Sequence, residues 1–205
     1  SIIVVIIMAK HPLILSQSSI NNWLAGNKTK SQTTDIINGT PNITIFGSQI
    51  FEEKIEAAFE LLAACAPEDL ATADEFLTGI YESNGSYAGA EIYAGSTNIQ
   101  ISSNLTKYLP DNYSSSGQTF WYVGAIIHEA RHSWQFLQPE LIKNWTTRTS
   151  EENNAVEIDA LNVQIATWKK CVDDIPLQQR YEAETILNKF ENLKDKMQKL
   201  KFNSD

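Results

Sequence analysis

Apolar and polar residues recur along this chain with two different spacings, and the changes of spacing mark its elements. Ile2 to Ala9 is an unbroken apolar run, too short to span a bilayer and without the basic flank of a signal peptide. It suits the stump of a trimmed leader or anchor, a buried strand, or the first turns of a helix. Residues 16–40 are polar, with Gly26, Asn38 and Gly39 as turn signals, and read as loop. Asn42 to Gly47 is a short strand candidate, with Ile43, Ile45 and Phe46 around Thr44.

Helical spacing follows in Phe51, Ile55, Ala58, Phe59, Leu62 and Cys65, with Glu52, Glu53 and Glu56 on the other side. Pro67 opens a second helix through Leu70, Ala73, Phe76, Leu77 and Ile80, expected to end near Asn84-Gly85. Two strands are expected next, Tyr87 to Tyr93 and Thr97 to Ser102, separated by Gly95 and Ser96. Ile99 and Ile101 alternate there with Asn98, Gln100 and Ser102, the mark of a half-buried strand. After a polar stretch around Pro110 and Gly117, Phe120 to Leu137 carries no helix breaker, and Pro139 supplies a stop. Thr149 and Glu152 form a capping-box pattern ahead of the stripe Ile158, Leu161, Ile165, Trp168 and Val172. A last helix is expected over Pro176–Lys201, its stripe running Leu177, Tyr181, Leu187, Phe190, Leu193, Met197 and Leu200. It either closes over the core or offers a coiled-coil-like face to a partner.

Helices with a few short strands predict an α+β, helix-rich domain with a small sheet. The 205 residues fit one domain, with 1–40 as a leader remnant or an appendage. A net charge of -9 argues against a nucleic-acid surface, and no stretch is long and apolar enough for a stable membrane span. The two cysteines, Cys65 and Cys171, have neither redox-motif nor thiolate-zinc spacing, so they form one disulfide or stay as two buried thiols. Seven Asn-x-Ser/Thr triplets, at Asn27, Asn38, Asn42, Asn84, Asn104, Asn112 and Asn144, lean towards an exported protein. A cytoplasmic protein rich in these residue types would carry them idly.

The chemistry concentrates in His128-Glu129-Ala130-Arg131-His132. Residues four apart on a helix share a face, so the two imidazoles stand side by side, a spacing suited to one metal ion. Glu129 lies about 100° round the cylinder, next to the pair rather than over it. Arg131 points away and is expected to make a structural ion pair.

The segment resembles the His-Glu-x-x-His helix of the zincin metallopeptidases, which supplies two zinc ligands and a general base. That resemblance implies a zincin-like fold, one Zn2+ ion, a peptide or protein substrate and Glu129 as the base. A third ligand is required, and the only other histidine, His11, is outside any ligand spacing. A carboxylate of the following helix is therefore expected. Glu157 falls about 60° from the centre of the apolar stripe, whereas Asp159 and Glu152 fall on its far side; Glu151 is the alternative, placed at the helix end. Glu157-Ile158-Asp159-Ala160 is similar to the second-helix signature of gluzincin-like peptidases, although Leu161 stands where the family often has Asp or Asn. The resemblance spans roughly residues 97–167. It further implies that Asn98, Ile99 and Gln100, on a strand preceding the metal helix, border the cleft and pair with extended substrate; an ordinary inner or edge strand is the alternative. Gln135, three residues past His132, either contacts substrate or a ligand or is simply packed. Two rival functions stay open: a toxin or self-processing module of the same chemistry, and an inactive zincin scaffold serving as a binding or surface protein.

Overall fold

The computed structural model describes residues 41–83, 89–138, 140, 141, 145 and 147–202; the apolar run at 2–9 and the polar stretch at 16–40 lie outside them. Strand β1 (Thr44–Phe46) leads through helices α1 (Gln49–Cys65) and α2 (Pro67–Phe76) to strand β2 (Gly79–Ser83). Strands β3 (Ala90–Ile92) and β4 (Asn98–Ser102) precede helix α3 (Ser115–Gln135). Helix α4 (Ser150–Cys171), a 3-10 turn and helix α5 (Arg180–Phe202) complete the order.

The sheet runs β1-β2-β4-β3. β1, β2 and β4 are parallel, and β3 is antiparallel to β4 with Glu91 opposite Gln100. This corrects two expectations. The helix opened by Pro67 stops at Phe76, with Leu77 already extended, and Ile80 belongs to β2 instead. Leu77 and Ile80 keep helical spacing with Leu70, but both are buried because Ile80 sits in a central parallel strand, whose sides are apolar on both faces. The second correction concerns Asn98, Ile99 and Gln100. Both backbone edges of β4 are taken, by β2 and β3, so no substrate strand can add there. Among the described residues the edge on this side is β3.

α3 is the hub of the molecule, packing on α1, α2, α4, α5 and β3. Its middle, from Phe120 to Ile127, is buried all round, which is why that run carries no polar residue. Its start is fixed from two sides. The Ser114 hydroxyl caps Gly117 N–H at 3.2 Å, and the buried Glu182 carboxylate of α5 accepts from Ser114 N–H at 3.0 Å and from its hydroxyl. A negative side chain at a helix N-terminus also favours the dipole.

α4 lies against α3 at very short range. A Cβ on Gly124 would collide with the Trp168 ring, and the Trp168 indole N–H donates to the Phe120 carbonyl at 2.6 Å. The far end of α4 is tied down by a disulfide between Cys65 and Cys171, and its near end by the Thr149/Glu152 capping box. α5 begins at Arg180 rather than at Pro176 and closes over the core through Phe190 and Met197 of the expected stripe together with Ala183 and Ile186, whereas Leu177 and Tyr181 are exposed. No helix among the described residues is long and apolar enough to cross a membrane.

Candidate metal centre

One turn beyond Gly124, α3 projects His128, and one turn further His132. α4 brings Glu157 to the same point. The two Nε2 atoms are 3.0 Å apart, and Glu157 places one oxygen 3.3 Å from His128 Nε2 and the other 3.5 Å from His132 Nε2. Tetrahedral zinc ligands at the usual bond lengths are spaced by about 3.3 Å, so three donors already stand at the separations one small ion requires. Among the described residues, His128, His132 and Glu157 form a group that could hold a metal ion. Side-chain exposures of 12 % for His128 and 15 % for Glu157 leave the centre open to a small molecule from solvent.

Hydrogen bonds behind the rings decide which nitrogens are available. Gln135, fully buried, gives its amide N–H groups to the Val156 carbonyl at 3.0 Å and the Asp159 carboxylate at 2.7 Å. Its oxygen must therefore face His132, and lies 2.8 Å from Nδ1. Only an Nδ1–H can satisfy that oxygen. The Gln164 oxygen stands 3.0 Å from His128 Nδ1 in the same role. Both rings thereby keep Nε2 as the atom that could coordinate an ion, the arrangement that second partners impose on histidine ligands. Asp159 is itself held by Arg131 at 2.7 and 3.2 Å, the ion pair expected for that arginine.

The charges agree with the geometry. Burial raises the Glu157 carboxyl, but the charge of His132 and hydrogen bonds from both imidazoles overcome it and hold the group well below the usual carboxylate range. Burial pulls the His132 ring down, and the Glu157 charge with the Glu157 and Gln135 hydrogen bonds pushes it up beyond that. Both shifts say that the point between these groups favours positive charge. Glu129, 6 % exposed, does not join the ligand set. Burial pushes its carboxyl up to about 8; the His128 charge opposes this, while Glu157 and Glu91 add to it.

Sequence reasoning therefore places His128, His132 and Glu157 together. Glu151 is exposed and lines a separate cleft of about 330 Å3 with Arg131, Trp134 and Leu141, to which none of the three donors contributes. Of the alternatives that the sequence leaves open for Gln135, the structure has it packed and in contact with the expected ligand His132. Gln164 was missed. It lies seven residues after Glu157, two helical turns along the same face, and that spacing was the available signal.

Compared with models of known protein families, with curated proteins and with solved structures, the chain matches none.

Proposed function

We propose that this protein is a zinc-dependent peptidase of the zincin type, with His128, His132 and Glu157 as ligands and Glu129 as general base. The observation that carries the reading is the convergence of three donors on one point, with a fourth, buried carboxyl one residue along the helix. Zinc bound there supplies a Lewis acid and brings the pKa of a water to about 7. Glu129 takes the proton of the attacking water and returns it to the leaving amine nitrogen. Its buried carboxyl stands beside the ligand pair, where a general base has to be to take that proton and return it. Gln135 and Gln164 hold the two rings still while this happens.

The Cys65–Cys171 disulfide supports an exported protein, since such bonds persist in oxidising compartments. Exposure of Asn42, Asn104 and Asn112 fits the same reading.

The test is Glu129→Gln in the full chain. The variant is expected to keep one equivalent of zinc by elemental analysis and to lose hydrolysis of casein by on the order of 100-fold or more. Wild-type protein that binds zinc and cleaves nothing in a broad peptide library would favour the inactive binding scaffold.

A further inference from the structure

The face of α3 that bears His128 and His132 continues, four residues on, to Phe136. Its ring meets Trp145 edge to face at 4.6 Å, and the Arg148 guanidinium lies 5.3 Å from the Trp145 ring centroid. The next residue, Thr149, caps α4, and Asn153 sits one turn before Glu157 on the same side of that helix. Trp145, Arg148 and Asn153 thus border the ligand set from the loop and first turns that lead to Glu157.

Among the described residues, three buried side-chain atoms have no hydrogen-bond partner, and two of them are here: Trp145 Nε1 and Asn153 Oδ1. Leaving such an atom unpaired costs about 1–3 kcal/mol, so two beside one ligand set call for an explanation. Among the described residues, Arg148 is the nearby cation without a carboxylate partner. Arg131 is taken by Asp159, whereas no carboxylate of a described residue stands within ion-pair distance of Arg148. Burial lowers the Arg148 guanidinium and only the more distant charge of Glu157 supports it.

We propose that Trp145, Arg148 and Asn153 form a subsite for a carboxylate of the substrate and the N–H adjoining it. The guanidinium and Trp145 Nε1–H donate to the carboxylate oxygens, and Asn153 Oδ1 accepts the N–H. The carboxylate is either the free C-terminus of a peptide or an acidic side chain near the scissile bond. This deepens the peptidase reading and rests on it for the word substrate.

The experiment uses the zinc-loaded full chain and matched peptides: free C-terminus against C-terminal amide, and Asp against Asn in the positions flanking the cleaved bond. One pair is expected to show a KM lower for the acid than for its neutral partner, and the pair that does names the source. Arg148→Gln should collapse that difference by roughly 10- to 100-fold, the loss of a charge-assisted contact, with one zinc still bound, and Arg148→Lys should restore part of it. Trp145→Phe, which removes the indole N–H together with part of the ring system while keeping an aromatic side chain against Phe136, should weaken the same pair. Calorimetric binding of N-acetyl-Ala-Ala against its amide, and of N-acetyl-Asp-amide against N-acetyl-Asn-amide, reads the subsite without turnover. Preference for an acid with no hydrolysis of any peptide would sink the peptidase reading and leave the subsite standing. Equal binding of acid and neutral forms in both pairs, or an acid preference that survives Arg148→Gln, would overturn the subsite.

Discussion

On the proposed zinc reading, two glutamines are the residues on which ion affinity would turn. Each fixes the proton of an imidazole on Nδ1 and frees Nε2. Gln135→Leu and Gln164→Leu should each weaken zinc binding by about 10- to 100-fold, the usual cost of losing an outer partner of a histidine ligand. Competition against a chelator of known affinity measures this; dissociation constants unchanged in both variants would remove the positioning role. Of the site residues, His128, Glu129 and His132 were legible because helical spacing is local; the angle to the apolar stripe admitted both Glu157 and Glu151, and Glu157 was set ahead by its place inside the helix and by the resemblance of the run it opens. The job of Gln135 was not legible. It depends on Val156 and Asp159, which reach it only when α4 docks.

At the scale of elements, the junction of β2 with α1 carries a pH dependence. Glu82 accepts from Ser48 N–H at 2.6 Å and from the Ser48 hydroxyl at 3.2 Å, at the residue that caps α1. Burial raises the Glu82 carboxyl, but these bonds, the Ser103 hydroxyl and the charge of Lys54 bring it below its ordinary value of 4.5. A group depressed on folding stabilises the native state above its unfolded pKa and loses that contribution as pH falls through the folded value. Thermal unfolding followed below about pH 4.5 should therefore show a shallower acid loss for Glu82→Gln than for the native chain. Parallel acid limbs would refute the assignment. The same scale shows where sequence reading fails. α1, α3, α4 and the alternating β4 were visible in their periods. The end of α2 was not, because Leu77 and Ile80 satisfy a helical spacing while serving in a connection and a strand. Nor was the inner position of β4, since strand order is set by pairing between distant segments.

Across the whole molecule, the Cys65–Cys171 bond closes a loop of sequence separation 106, for which the chain-entropy model gives about 4–5 kcal/mol. Reduction, or Cys65→Ala with Cys171→Ala, should lower the denaturant midpoint accordingly. Because the bond lies at the end of α4 away from Glu157, zinc affinity of the protein that remains folded should not change. A loss of affinity in step with reduction would show that the bond shapes the centre as well.

The donors come from two helices joined by a long connection, and the unfolded chain holds at most the histidine pair. On the proposed zinc reading, ion uptake and folding would be linked, every tenfold excess of zinc over its dissociation constant adding about 1.4 kcal/mol to stability. The melting temperature would then be a gauge of free metal, and a cell compartment starved of the ion would hold this protein closer to its threshold for degradation.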